Sequence, residues 1–319
     1  MPNRFPFPSF PNGWYAIGFS TDFPKGEVVT RHYFGEDIVV YRTLEGQVRA
    51  TESHCPHVGA HLGHGGRVVD ECLRCPFHGW RFDAVGQCVE VPGATRIPAK
   101  AQLRHWPLRE MNGVVFVHYD ASGAPPTWDI PQLPEDEWTG NKTILWTLRT
   151  HPQEVNENIV DSAHLVPLHG VEGCTVFRDA IDDGPMFNIA LNLIADGAIV
   201  GMPGMTNDVI LDVTLHGLGH MVVQTHVRNV DVRARQRIYS TPIDGERTDI
   251  RGVVNLKKLD DEETSEQVAE LFYQAYVTDF AADFPIWENK KYREKPILSN
   301  ADGPFMPYRK WAKQFYPAP

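Results

Sequence analysis

Over the first third of the chain, apolar and polar residues alternate in short runs with a period of two. "DIVVYRT" from Asp37 leads through a polar turn towards "LEGQV", "GWRFDAVGQCVEV" from Gly79 has the pattern of a hairpin, and "MNGVVFVHY" from Met111 reads as a buried strand. Glycine turns separate the runs, which predicts a small all-β unit. "ASGAPPTWDIPQLPEDEW", from Ala121, is rich in proline and acid and keeps no period. It marks the boundary, which divides the chain into residues 1–122 and 123–319.

Past the boundary, "TILWTLRTHPQEV" is strand-like and "NENIVDSAHLV" helix-like. "VILDVTLHGLGHMVVQTHV" and "ARQRIYSTPI" return to the β pattern. "DEETSEQVAELFYQAYVTDFAADF" opens on acids and carries apolar residues at helical spacing, so it predicts a helix, with Pro285 at a kink or in the first turn of the next one. The second part is therefore an antiparallel sheet flanked by helices.

Composition narrows the function. The 319 residues are 42% hydrophobic and 22% charged, as in a soluble globular protein. A formal charge of −11 argues against nucleic acid and anionic membrane as partners and suits a basic protein. The start has no basic segment followed by an apolar run, so a signal peptide is not expected. The longest apolar region, "IALNLIADGAIVGM", is interrupted by Asn192 and Asp196 and too short to span a bilayer. Five cysteines without a secretory signal point to a reducing, cytoplasmic compartment, where cysteine more often serves metals than disulfides.

Two stretches concentrate metal-binding residues. In the first, Cys55-Pro56-His57 and Cys75-Pro76-Phe77-His78 each supply one thiolate and one imidazole from a tight loop. Two such loops face to face hold a two-iron, two-sulfide (2Fe-2S) cluster, cysteines on one iron and histidines on the other. A zinc site from Cys55, Cys72, Cys75 and Cys88 is the rival, but it leaves His57 and His78 without a role. His54, His61 and His64 are read as loop histidines, Cys72, Cys88 and Cys174 as small buried residues, and Trp80 as a shield over the cluster.

In the second stretch, "ENIVDSAHLVPLHG", Asp161 and His164 are three apart and would share a helix face. Pro167 would then end the helix and let His169 turn back towards His164. Two histidines and a carboxylate make the facial triad of non-haem iron(II) oxygenases. Asp279, Asp283 and Glu288 are candidates for the carboxylate. His216, His220 and His226 fall on one face of a strand pair, and read as core or pocket histidines rather than ligands.

"CPH" followed by "CPFHGW" resembles the Rieske motif, and with "NENIVDSAHLVPLHG" downstream the chain resembles the Rieske non-haem iron oxygenases over nearly its whole length. High-potential Rieske proteins carry an extra, disulfide-bonded cysteine in each loop. Ala60 and Phe77 stand there instead, as in the lower-potential ferredoxin and oxygenase type. The tail from "ADFPIWENKKYREKP" is similar to that of the ketosteroid hydroxylase and cholesterol desaturase subgroup, which implies Asp283 as third ligand beside His164 and His169. The resemblance implies an α+β fold: an N-terminal all-β Rieske domain, then a helix-grip, START-like catalytic domain. It also implies that Asp161 links cluster to iron and that Asn158 stands just behind the ligands.

The function so implied is that of a terminal oxygenase using O2 and electrons from NAD(P)H, delivered by a separate reductase or ferredoxin. It would hydroxylate or desaturate a bulky apolar, steroid-like molecule. Family members assemble as head-to-tail homotrimers, so that one subunit's cluster meets the next subunit's iron. Oxidative demethylation or aromatic-ring oxygenation is the alternative within the family, and a non-enzymatic electron carrier with a ligand-binding domain the alternative outside it. "LIADGAIVGMPGM" is expected to line an apolar pocket with methionines, and no residue is singled out to read a sterol hydroxyl or ketone.

Overall fold

Residues 14–130 and a second group, residues 1–13 with 131–319, form separate units in the computed structural model, which describes residues 4–197 and 204–317. The first unit carries ten short strands: β1 (Gly13–Phe19), β2 (Val28–Tyr33), β3 (Glu36–Arg42), β4 (Val48–Glu52), β5 (Arg67–Val69), β6 (Cys72–Arg74), β7 (Arg81–Phe82), β8 (Cys88–Glu90), β9 (Leu108–Met111) and β10 (Val114–Tyr119). They make three small sheets, in the orders β1-β10-β9, β2-β3-β4 and β5-β6-β7-β8. One core cluster packs Val39, Tyr41, Leu62, Leu73, Phe82 and Leu103 directly against Cys55 and Cys75. The same apolar residues that hold the strands together therefore seat both thiols.

The second unit is built on one antiparallel sheet of seven strands. These are β11 (Lys142–Leu148), β12 (Gly173–Asp183), β13 (Met186–Asp196), β14 (Thr206–His216), β15 (His220–Val227), β16 (Val232–Pro242) and β17 (Thr248–Leu256), ordered β11-β17-β16-β15-β14-β13-β12. Among the described residues five α-helices accompany it: α1 (Pro152–Glu157), α2 (Leu165–His169), α3 (Glu262–Ala281), α4 (Phe284–Asn289) and α5 (Phe305–Ala312). The long α3 starts where Asp261 accepts from the Thr264 amide at 2.6 Å, with Glu262 and Glu263 in its first turn. Pro285 sits in the first turn of α4, where its missing N–H costs nothing. The arm at residues 4–13 belongs to this unit: Arg4 donates to the carbonyls of Arg149 and Lys290, at 2.6 and 2.8 Å, and to that of Trp287. Among the described residues no helix is long and apolar enough to cross a membrane.

The expected helix from Asn156 to Val166 is broken. After α1 come 3-10 turns at Asn158–Val160 and Ser162–His164, and Asp161 between them is non-helical, with φ −91° and ψ 69°. Asp161 and His164 therefore do not share a helix face. Pro167 does not end a helix either; it lies inside the short α2, near enough to its start that no hydrogen bond is lost. Termination falls to Gly170, left-handed at φ 69°. The segment still brings its two histidines to one side.

A buried ion pair anchors this segment. Glu157, the last residue of α1, accepts two hydrogen bonds from Arg309 of α5, at 2.6 and 2.7 Å. Neither side chain is more than a tenth exposed. Arg309→Met leaves a buried carboxylate uncompensated and is expected to cost about 3–5 kcal/mol of unfolding free energy. Chemical denaturation measures it, and a loss within error of zero would contradict the anchoring role.

Candidate active site

The two loops of the first unit repeat one hydrogen-bond pattern. The Cys55 amide donates to Ala60 O and the Gly59 amide to Cys55 O; the Cys75 amide donates to Trp80 O and the Gly79 amide to Cys75 O. Gly59 and Gly79 occupy the same left-handed position, at φ 79° and 72°, which closes each loop around its sulfur. Both cysteines are buried and free of disulfide, whereas His57 and His78 are exposed at the rim with ring centroids 4.7 Å apart. Trp80 stacks on His57 at 4.6 Å and 10°. Burial pushes the Cys55 thiol up to about 11; a hydrogen bond from the His57 amide works against this, and the neighbouring Cys75 adds to it. A thiol pair sunk in the core under a pair of accessible imidazoles is the donor set that a 2Fe-2S cluster with unlike irons requires. Cys72 and Cys88 of the zinc alternative stand outside these loops, Cys72 half-buried in β6 and Cys88 in β8, where its Sγ donates to Glu90 O at 3.4 Å.

The second centre lies in the other unit. His164, His169 and Asp283 bring one ligand atom each within 4.8 Å of one another. Asp283 Oδ1 is 3.9 Å from His164 Nε2 and Asp283 Oδ2 is 3.5 Å from His169 Nε2. The other nitrogen of each ring is engaged: His164 Nδ1 with the Asp161 carbonyl, and His169 Nδ1 with Asp279 Oδ1 at 2.8 Å. Both rings thus present Nε2 to the buried Asp283, from the junction of α3 and α4. Asn158 Nδ2 donates to Asp283 Oδ1 at 2.8 Å, and Asn158 Oδ1 accepts from Trp287 Nε1 at 3.1 Å. Asp279 is therefore a partner of His169, outside the converging group, and Glu288 accepts from the Arg149 amide instead.

The carboxylates set the charge of the group. Burial disfavours a charged His169, yet the Asp279 and Asp283 carboxylates overcome it and raise the ring to about 10. Two half-buried imidazoles and one buried carboxylate, each oriented by a further hydrogen bond, fit a divalent iron with positions left open. Asp161 reaches from His164 to the surface: its Oδ2 is 3.9 Å from His164 Nδ1 and its side chain is 34% exposed. Burial raises the Asp161 carboxyl, against the pull of His164 and Lys290.

The three residues open onto a cavity of about 190 Å³. Val155, Ile159, Leu165 and Phe280 line it on the helical side, and odd-numbered residues of β13, β14 and β15 on the other. His216, His220 and His226 are even-numbered and project from the opposite face. There His216 and His220 face each other with centroids 5.2 Å apart, and His226 bonds Asp231 at 2.7 Å. Of the segment expected to bring methionines, Leu193 and Ala195 line the cavity, Met205 is exposed, and residues 198–203 lie outside those described.

Residues 13–107 match the Rieske [2Fe-2S] domain family, and residues 117–316 match the family described as 3-Ketosteroid 9alpha-hydroxylase C-terminal domain. The chain belongs to the Rieske oxygenases, in the branch that this C-terminal domain defines. It is an oxidoreductase with a 2Fe-2S cluster. A cholesterol 7-desaturase of Xenopus laevis is 31% identical, over 97% of this chain and 72% of the relative. The probable 3-ketosteroid-9-alpha-monooxygenase oxygenase component of Rhodococcus rhodochrous is 29% identical, over 96% and 80%. Dicamba monooxygenase bound to dicamba shares the fold, with a TM-score of 0.77 at 18% identity, over 97% of this chain and 98% of that one.

Proposed function

We propose that this protein is the terminal oxygenase of a multi-component system, hydroxylating or desaturating a bulky apolar substrate of steroid type. The observation that carries this reading is the opening of His164, His169 and Asp283 onto a cavity lined almost wholly by apolar side chains. The aliphatic and aromatic walls favour burial of hydrocarbon over polar molecules. His164, His169 and Asp283 would hold a mononuclear iron(II), and Cys55, Cys75, His57 and His78 the cluster. When bound, the iron supplies O2 activation for C–H oxidation, with electrons from NAD(P)H passed through a reductase or ferredoxin to the cluster.

The remaining work is done by the chain itself. The cavity walls bind the substrate, exclude water and fix which carbon faces the triad. Asn158 keeps Asp283 in place, and Asp279 keeps His169 in one tautomer. Asp161 is the link through which the cluster of a neighbouring subunit communicates with His164, in a head-to-tail trimer in the cytoplasm. Light scattering tests the assembly; a fully active monomer would contradict it.

The function is tested by incubating the protein with a surrogate reductase, NADH, O2 and a panel of steroid and aromatic compounds. Mass spectrometry is expected to find a gain of one oxygen, or a loss of two hydrogens, on a steroid. Turnover confined to aromatic ethers or small aromatics would overturn the substrate class. Asp279→Ala is expected to weaken binding of ferrous ion about 10–100-fold, read by anaerobic calorimetry. Unchanged affinity would show that the His169 ring needs no such support.

A further inference from the structure

A run of aromatic rings leads from the triad towards the surface. Asp283 accepts from Asn158, and Asn158 accepts in turn from the indole of the buried Trp287. Trp287 lies 5.3 Å from Phe280 and 6.0 Å from Phe284, centroid to centroid. Trp146, on the edge strand β11, touches the same two rings at 5.4 and 5.3 Å. The two indoles therefore share one pair of phenyl rings. Trp287 and Phe280 line the cavity, whereas Trp146 is outside its described lining and only half-buried.

These rings differ in their chemistry. A phenyl ring resists oxidation, whereas an indole gives up an electron readily and can pass the vacancy on before it loses its N–H proton. Tyr276 joins the group, 5.4 Å from Phe280 and 6.2 Å from Trp146. A phenol, however, is oxidised readily only when a neighbour takes its proton. The Tyr276 hydroxyl is buried without a hydrogen-bond partner among the described residues, and burial pushes the phenol well above its usual range. Its proton has no acceptor there, so the two indoles remain as the electron donors of the group.

We propose that Trp287 and Trp146 form an electron relay that protects the triad when O2 is reduced with no substrate bound. Reduction of O2 to two waters takes four electrons and four protons. The ferrous ion and the reduced cluster supply one electron each, and the other two pass singly from Trp146 through Trp287 to the iron centre. At the surface each oxidised Trp146 is restored by a thiol. Two thiols lose two electrons and two protons and join as one disulfide, and the remaining two protons come from solvent. Without the relay the centre takes its electrons from the nearest side chains, His164 and His169 among them. This rests on the O2-activating reading above and adds a second activity, thiol oxidation, to the same site.

The full-length holoenzyme is cycled with a surrogate reductase, NADH and O2, without substrate and with catalase present, and peptide mass spectrometry then locates the oxygens added to the chain. They are expected at Trp146 and to decline when glutathione is supplied. In Trp146→Phe they are expected to move inward to Trp287, His164 and His169, with loss of ferrous-ion binding. A half-buried tyrosine can pass its proton to water, so Trp146→Tyr is expected to retain iron as the parent does, which a purely packing role would not distinguish from phenylalanine. The exposed Met205 and Met306 are the natural targets of a freely diffusing oxidant. Oxygen on these methionines in preference to Trp146 in the parent overturns the proposal, whether or not the variants fold, as do unmodified inner residues in Trp146→Phe. Absence of O2 consumption overturns the O2-activating reading with it.

Discussion

Asp283→Ala is expected to lose the mononuclear iron and all turnover while retaining the cluster's visible and EPR spectra. Among the described residues the carboxylate is the one acid within reach of both histidine Nε2 atoms, at 3.9 and 3.5 Å, and the helix junction that presents it is fixed by Asn158 and Trp287. Removing a whole ligand exceeds the loss of an outer hydrogen bond, so affinity for ferrous ion is expected to fall by more than about 100-fold. The cluster loops lie in another unit and share no residue with this group. Iron analysis together with EPR checks the prediction. A variant that kept its full iron content would point to another acid as ligand.

Asp161→Ala is expected to leave both iron centres loaded and the substrate bound, yet to reduce turnover at least about a hundredfold, since a misplaced transfer group is felt steeply. Asp161 interrupts the helix and, through its carbonyl, holds the His164 ring; its carboxylate continues to the surface. The carbonyl stays in the alanine variant, so metal binding and the carboxylate's role come apart in one experiment. Stopped-flow oxidation of the reduced cluster in the presence of substrate and O2 reads the step directly. A rate equal to that of the parent would remove Asp161 from the electron route.

What the sequence could disclose depended on how far apart the cooperating residues lie. Cys55 and His57, or Cys75 and His78, meet within single loops, so spacing alone carries the geometry, down to the repeated glycine at positions 59 and 79. His164 and His169 are similarly local. Asp283 lies more than a hundred residues further on, and only the resemblance of the tail distinguished it from Asp279 and Glu288. The break at Asp161 left no mark on the pattern, because the ring of His164 bonding back to the Asp161 carbonyl is a local side-chain contact that hydrophobic periodicity does not report. Period two tells which strand residues share a face, but not that the face borders a cavity. The same alternation placed His216, His220 and His226 together, on the side away from the site.

The central claim is that one chain carries two unlike iron centres, one in each unit. Mössbauer spectroscopy of the protein reconstituted with 57Fe tests it most directly. The account predicts about three irons per chain, roughly two-thirds in the cluster and one-third in a separate high-spin ferrous doublet that is missing from Asp283→Ala. A spectrum containing only the cluster, at about two irons per chain, would contradict it.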